Sequence, residues 1–242
     1  MTGKVVSHIG LPANWTTTSD GGRSAPNQAN NNAMGVLLPD NRTIVQMQPA
    51  YRCEVGKNGP LLARFGNATD GCPQQFPNVT DIFGDGALGS HGGSGLSGVG
   101  GTIRVGELTG SKPIGHTLKI ELQHQWYYGL SPLQPTSAEN GGRRQYVWPA
   151  TGSDSGSNAA PGGLYGGRLS TLVPGALLAV RGVDQKDLQA QIKTTVGAKM
   201  LEAFVDYGAY IVDDTGGGNS AAICMSSEVN AEMRSRFGYA MT

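Results

Sequence analysis

Acidic and histidine side chains set among glycines are the residues of this sequence that suit bond-cleaving chemistry. Glu107 lies near the end of a glycine-rich stretch at residues 84–108, and Asp213 ends an apolar run just before a second glycine turn. Glycosidic cleavage commonly uses two carboxyl groups, so we predict Glu107 and Asp213 as the catalytic pair and His116 as an auxiliary acid or base. Lyase chemistry on a uronic acid, which needs a base such as histidine, is the alternative reaction.

Both carboxylates also have a structural interpretation. Glu107 could form an ion pair with Arg104, which precedes it by three residues, and Asp213 could be a polar turn residue. The sequence leaves the catalytic and the structural interpretations open.

Aromatic residues in the middle third of the chain indicate a surface that could hold a sugar polymer. Tryptophan and tyrosine combine an apolar ring face with a polar edge, which suits stacking on a pyranose ring. The predicted substrate-binding residues are Trp126, Tyr146, Trp148, Arg104 and His91. The same aromatic side chains would equally form the core of a β-sandwich.

The glycine-rich stretch does not match the motifs of other enzyme classes. It lacks the lysine of a phosphate-binding loop, and the glycines around Ser94 and Ser97 do not have nucleophile-elbow spacing. Neither H-E-x-x-H nor C-x-x-C occurs, so no zinc motif is present. Asp81 and Asp85 could hold calcium, but their D-I-F-G-D segment is not a recognised calcium loop. We therefore predict no metal and no cofactor, with calcium as the alternative.

Charge and hydropathy exclude two classes of partner. The chain of 242 residues has 18 basic and 18 acidic residues, whereas nucleic-acid binding needs a basic surface. No apolar run approaches the length that crosses a membrane. We therefore expect neither nucleic-acid binding nor a membrane span.

Cysteines and glycosylation sequons favour a secreted protein. Cys53 and Cys72 could close a short disulfide loop and leave Cys224 free, although three unpaired thiols are the alternative. The sequons lie in the first third of the chain, at Asn14, Asn41, Asn67 and Asn78. We predict an extracellular glycoprotein with one disulfide.

Turn residues and hydrophobic periodicity predict a mainly β fold, a two-sheet sandwich of jelly-roll type with two or three short C-terminal helices. Residues 34–242 form the single domain, and residues 1–33 form a polar arm that could reach a second copy. The predicted strands include a hairpin at 34–38 and 43–48, a strand at 102–105, a long strand at 117–128 and a hairpin at 209–213 and 221–225. The predicted helices are 184–192, 195–207 and 226–237. Gln46 and Gln48 would lie on the outer face of their strand, either solvated or on a sugar-binding surface.

An ordered series of motifs resembles a group of secreted bacterial β-rich proteins. The series runs GSHGGSGLSGVGGTIRVGEL, PIGHTLKIEL, YVWPATGSDSG, PGALLAV and VDYGAYIVDD, over about residues 84–225. The resemblance implies secretion and a β-rich fold, often associated with carbohydrate-related modules, but no particular reaction. The positions it highlights are Ser94, Arg104, Glu107, His116, Asp154, Tyr207, Tyr210 and Asp213. This chain departs from the pattern with Thr117 where alanine is usual, and with a long insertion at 153–167.

Together these features predict a secreted protein that acts on or binds polysaccharide, as a hydrolase or lyase if it is an enzyme. The alternative is a non-catalytic glycosylated subunit of an extracellular filament or surface coat. In that alternative the arm at residues 1–33 would join neighbouring copies into a homo-oligomer.

Overall fold

The computed structural model describes residues 34–48, 50–52, 61–63, 78–127, 146–153, 165, 167–169, 171–215 and 221–241. The predicted arm at 1–33, the predicted disulfide between Cys53 and Cys72, and the sequons at Asn14 and Asn67 lie outside these residues. Within the described part of the chain, no helix has the length and apolar character to span a bilayer.

Nine strands and three helices make up the described secondary structure. In chain order they are β1 (Met34–Leu37), β2 (Thr43–Met47), β3 (Ala50–Arg52), β4 (Leu61–Ala63), β5 (Asn78–Asp81), β6 (Leu118–Leu122), β7 (Leu177–Leu178), α1 (Gln185–Gln189), α2 (Thr195–Asp206), β8 (Ala209–Asp214), β9 (Ala221–Ile223) and α3 (Val229–Phe237). A 3₁₀ turn at His124–Trp126 follows β6.

The first hairpin forms as predicted and belongs to a small antiparallel sheet. Strands β1 and β2 pair with Met34 opposite Met47, and β5 adds on the other side of β2. Asp40 closes the turn by accepting hydrogen bonds from the backbone N–H groups of Arg42 and Thr43. Strands β3 and β4 form a separate two-stranded pair.

The central sheet has the strand order β7-β8-β6-β9, and β6 and β8 run parallel. Strands β8 and β9 were expected to form a hairpin, but β6 lies between them and pairs with both. The predicted strand at 117–128 is also shorter, because β6 ends at Leu122 and the chain turns into the 3₁₀ segment.

Helices cover one face of the central sheet. Val196 and Ala203 of α2 and Val229 and Met233 of α3 share one core with Leu118 and Ala209 of the sheet, among other residues. Helix α2 matches its prediction: the Thr194 side chain accepts a hydrogen bond from the Gly197 N–H, and Gly208 follows the helix with φ of 77°. Helix α3 begins at Val229, later than the predicted serine cap at Ser226 or Ser227.

The glycine-rich stretch covers the opposite face as an irregular loop. We call residues 84–101 the glycine loop. The strand predicted at 102–105 is reduced to one bridge between Ile103 and Met225, followed by turns through residue 109. The described residues therefore show mixed sheets with short helices. The jelly-roll arrangement is not confirmed, since β6 and β8 are parallel and α2 and α3 pack on their sheet.

Candidate functional site

The glycine loop is held on one side by the small sheet. Gln46, which is 1% exposed, accepts a hydrogen bond from the Gly98 N–H at 2.6 Å and donates to the Thr80 hydroxyl. Gln48 accepts one from the Gly92 N–H at 2.8 Å. Both glutamines were expected on a solvated or sugar-binding face. They are instead buried, because the loop needs partners for its own backbone groups.

On its other side the loop meets the central sheet through a buried lysine. The Lys119 ammonium donates to the carbonyl oxygens of Ser97 and Gly98, both at 3.1 Å. Burial lowers the pKa of Lys119, because an ammonium group loses its hydration there. The alternation of β6 places Glu121 on this same face, beneath the loop.

Four side chains meet where the glycine loop crosses β6, β8 and the residue following β9. We call His91, Glu121, Asp213 and Cys224 the His91 cluster. The Nε2 atom of His91 lies 3.6 Å from Glu121 Oε1 and 3.5 Å from Cys224 Sγ. The Cys224 thiol donates to Glu121 Oε1 at 3.4 Å. The other ring nitrogen of His91, Nδ1, lies 3.6 Å from Asp213 Oδ2.

A β-bulge directs Asp213 into this cluster. Ile120 pairs with Ile211 but Glu121 pairs with Asp213, so Val212 is an extra residue in β8. Strict alternation would place Asp213 on the face of Ile211, away from the loop. The bulge leaves both Val212 and Asp213 directed at the glycine loop, with Val212 packed in one cluster with Leu96.

Backbone contacts then fix the position of Asp213. Its Oδ1 atom accepts a hydrogen bond from the Asp214 N–H at 2.9 Å, and its carbonyl accepts one from the Tyr127 hydroxyl. Gly92 passes so close that an added Cβ would lie 1.5 Å from Asp213 Oδ2, and its φ is +28°. No other residue fits there without moving the carboxylate or the loop.

Burial makes the charged forms of two cluster members unfavourable. It raises the pKa of Glu121, with the neighbouring His91 opposing that rise. It also raises the pKa of the Cys224 thiol to about 12, with Lys119 opposing. The cluster therefore brings an imidazole, a thiol and two carboxyl groups together in partly water-excluded surroundings. Such a set can exchange protons or supply nitrogen, sulfur and oxygen ligands to a metal ion.

The predicted catalytic residues Glu107 and His116 lie elsewhere. Glu107 Oε2 is 3.1 Å from His116 Nε2 and accepts a hydrogen bond from the Arg104 N–H. His116 precedes the start of β6 at Leu118, whereas Asp213 pairs with Glu121 near its end, about 10 Å beyond Leu118 by the rise per residue of a strand. The structure does not bring Glu107 and Asp213 together as a catalytic pair.

Two of the predicted sugar-binding aromatic residues lie on a loop that adjoins the glycine loop. Trp148 is 72% exposed, and Tyr146 packs in the cluster that contains Val212 and Cys224. Trp126 is exposed and lies in the 3₁₀ turn after β6. Arg104 lies beside Glu107, with its Nε 3.9 Å from Glu107 Oε1, so it is placed with that pair and not with the His91 cluster.

The remaining predicted sites have local roles in the structure. Asn41 lies in the exposed turn between β1 and β2, whereas the Asn78 amide donates to the Gly89 carbonyl in a partly buried position. Asp81 pairs with Arg42, and Asp85 accepts from the Ala87 N–H, so both carboxylates of the calcium alternative bond to protein groups. Cys224 is a free thiol.

Comparison of the chain with protein-family models, with curated proteins and with solved structures finds no match. The site is therefore defined by its geometry. Sequence reasoning missed Lys119, Glu121 and Cys224. The available signal was a lysine and a glutamate at alternate positions of the apolar strand β6, on the face that the glycine loop covers.

Proposed function

We propose that the protein acts on polysaccharide outside the cell and that the His91 cluster is its catalytic centre. The observation that carries this proposal is the connection between the aromatic segment 146–153 and the glycine loop. The Thr151 N–H donates to the Ser94 carbonyl at 2.8 Å, three residues after His91. A segment with an exposed tryptophan is thereby fastened beside a buried set of ionisable groups.

The aromatic side of the site suits a sugar ring. Trp148 presents most of its indole to solvent, and an exposed aromatic face is a common means of holding the apolar face of a sugar. Tyr146, two residues before Trp148, packs against the same hydrophobic cluster as Cys224, the cluster that contains Val212. A bound chain would therefore reach the cluster from the side of Trp148.

The buried side of the site suits catalysis. Lys119 and Asp213 are 3% and 6% exposed, and burying such groups costs free energy that an apolar core would not require. Groups of this kind are concentrated at functional sites. Glu121 keeps 28% of its side chain exposed, which gives a substrate or water access to the cluster.

The geometry favours a histidine-centred reaction over a two-carboxylate glycosidase. The imidazole of His91 lies between Glu121 and Asp213, at 3.6 Å from each, so no sugar oxygen can occupy that space. Hydrolysis by an activated water and elimination from a uronic acid both fit a centre built around an imidazole. The products distinguish these two reactions.

The test is incubation of the purified protein with a panel of neutral and uronate-containing polysaccharides. Reducing ends report hydrolysis, and reducing ends together with absorbance of unsaturated uronates report elimination. We expect a product from at least one polysaccharide, lost in His91→Gln and retained in the matched control His116→Gln. No product from the wild-type protein, or equal product from a folded His91→Gln variant, would overturn the proposal.

The structural-subunit alternative rests on the arm at residues 1–33, which lies outside the described residues. Light scattering on the same preparation tests it. Polymeric particles together with no product from any polysaccharide would favour a filament or coat subunit over an enzyme.

A further inference from the structure

Three donor atoms of the His91 cluster have the spacing of metal ligands. His91 Nε2, Cys224 Sγ and Glu121 Oε1 form a triangle with sides of 3.5, 3.4 and 3.6 Å. Zinc bonds of about 2.0–2.1 Å to nitrogen, 2.3 Å to sulfur and 2.0–2.2 Å to oxygen, at tetrahedral angles, separate the ligand atoms by about 3.4–3.6 Å. At 3.6 Å the nitrogen–oxygen side of the triangle is too long for a hydrogen bond, and it is within about 0.2 Å of the separation that a shared zinc ion would give.

The second nitrogen of His91 also has the surroundings of a metal ligand. Nδ1 is buried, has no hydrogen-bond partner among the described residues and lies 3.6 Å from Asp213 Oδ2. A metal on Nε2 requires the ring proton to be on Nδ1, where it faces that carboxylate. Metal-bound histidines almost always direct their other N–H to a carboxylate, a carbonyl or a water molecule. The bulge at Val212 and the close approach of Gly92 hold Asp213 in that place.

The donor set selects among metals. Calcium and magnesium take oxygen ligands, whereas one imidazole, one thiolate and one carboxylate suit zinc in a tetrahedral site with one open position. The thiolate and the carboxylate together balance the charge of a divalent ion. Binding releases the thiol proton of Cys224 to solvent.

We infer that His91, Glu121 and Cys224 form a zinc site, with Asp213 positioning the imidazole and the fourth position open to water or substrate. This inference goes beyond the proposed function and does not depend on it, because metal binding can be measured without any substrate. With zinc bound, His91 would be a ligand and not a base, so a water molecule in the fourth position would be the nucleophile if the reaction is hydrolysis.

Cobalt(II) is the probe, since it takes zinc sites and reports its own coordination. The full-length protein is treated with a chelator, dialysed and titrated with cobalt chloride. We expect one equivalent to give the intense visible bands of a four-coordinate ion and a near-ultraviolet sulfur-to-cobalt charge-transfer band, both removed by added zinc. The same zinc should raise the thermal midpoint of the chelator-treated protein.

Variants assign the ligands. Cys224→Ser should lose the charge-transfer band, which also separates Cys224 from the two other cysteines of the chain. His91→Gln should weaken cobalt binding at least tenfold. Asp213→Asn should weaken it by about 10–100-fold, as expected for a group that orients a ligand. His116→Gln, the control at the other histidine–glutamate pair, should bind as the wild-type protein does.

Two outcomes would overturn the zinc site. One is the absence of four-coordinate cobalt bands and of any zinc-induced thermal shift in the wild-type protein. The other is an unchanged charge-transfer band in Cys224→Ser. A variant that does not fold leaves the wild-type titration and the His116→Gln comparison decisive. Metal binding without any polysaccharide product would retain the zinc site and reject the proposed function.

Discussion

Two histidines lie beside glutamates at opposite ends of β6, and the two pairs are built differently. Before the strand, His116 Nε2 is 3.1 Å from Glu107 and Nδ1 is 2.9 Å from the Thr117 carbonyl. At the far end, His91 Nε2 lies 3.6 Å from Glu121 Oε1, and no described residue provides a hydrogen-bond partner for Nδ1. Both ring nitrogens of His116 have hydrogen-bond partners, whereas at His91 only Nε2 has one among the described residues, the sulfur of Cys224 at 3.5 Å.

The two pairs differ in whether the protein alone supplies partners for both ring nitrogens. Buried polar groups in native proteins nearly always have partners, so a buried imidazole nitrogen without one requires an explanation. The His116 pair is complete within the protein and joins the turn at Glu107 to the start of β6. In the His91 cluster one buried ring nitrogen, Nδ1, has no partner among the described residues, and the inferred zinc site would place a proton there, facing Asp213.

The largest effect should come from Gly92→Ala, which forces Asp213 of the His91 cluster or the glycine loop to move. The new Cβ would overlap Asp213 Oδ2, and the backbone has positive φ. We expect the free energy of unfolding to fall by about 2–5 kcal/mol, from backbone strain and overpacking together, as measured by urea denaturation. Gly86→Ala is the control, because Gly86 has φ of +71° but no atom within 4 Å of an added Cβ. It should cost only about 1–2 kcal/mol, and equal losses in both variants would contradict the proposed contact.

Gln46→Leu should have the next largest effect, through the support of the glycine loop. The substitution leaves the Gly98 N–H without its acceptor in a partly buried position. We expect a loss of about 1–3 kcal/mol in the free energy of unfolding, with reduced protection of the Gly98 amide in hydrogen exchange. The exposed Gln125 provides the control, and Gln125→Leu should stay within about 0.5 kcal/mol of the wild-type protein. Unchanged protection of Gly98 would show that Gln46 does not hold the loop.

The variants Glu107→Gln and Glu121→Gln test the two histidine–glutamate pairs against each other. Glu107→Gln retains an oxygen acceptor for the Arg104 N–H, so we expect a stability change of about 0.5–1 kcal/mol at most and full cobalt binding. Glu121→Gln should weaken cobalt binding at least tenfold, because it removes an anionic ligand. Titration of both variants in parallel checks this, and equal cobalt affinities would remove the distinction between the two pairs.

The smallest effect should be a pH dependence of stability from Glu232, which contacts the turn that carries Glu107. Glu232 accepts hydrogen bonds from the Thr109 hydroxyl and the Gly106 N–H, which lowers its pKa from 4.5. A carboxyl with a lowered pKa in the folded state stabilises the protein above its unfolded pKa, and that stabilisation is lost as pH falls through the folded value.

Thermal unfolding between about pH 6 and pH 3 measures this contribution. At the acid end of this range, the Glu232→Gln variant should have nearly the same thermal midpoint as the wild-type protein. At about pH 6 the thermal midpoint of the variant should be lower. A constant difference between the two proteins at every pH would mean that Glu232 does not titrate between folded and unfolded states.

The local signals in the sequence were sufficient for the elements whose ends are marked by turn or cap residues. The hairpin around Asp40 and Asn41 and the helix between Thr194 and Gly208 formed as predicted. In both, the deciding contacts join residues a few positions apart. The position of a glycine in the left-handed region is a local property, so it could be predicted without knowing the fold.

The His91 cluster could not be predicted from the sequence. Its contacts depend on which segment covers this face of the central sheet and on the order of the strands within that sheet. Alternation showed that Lys119 and Glu121 share a face of β6, but it did not show that the glycine loop covers that face. Nor could it show the bulge at Val212, which reverses the expected direction of Asp213. His91 was predicted to bind substrate at the surface, whereas it is 5% exposed within the cluster.

The separation in sequence between the cluster members has a consequence for how the protein is made. Cys224 follows His91 by 133 residues and Glu121 by 103. Contacts so distant along the chain form after local ones, because a long loop must close first. A growing chain therefore carries His91 and Glu121 without their sulfur partner until the ribosome has added Cys224. Any ion held by all three can be retained only after Cys224 has been added.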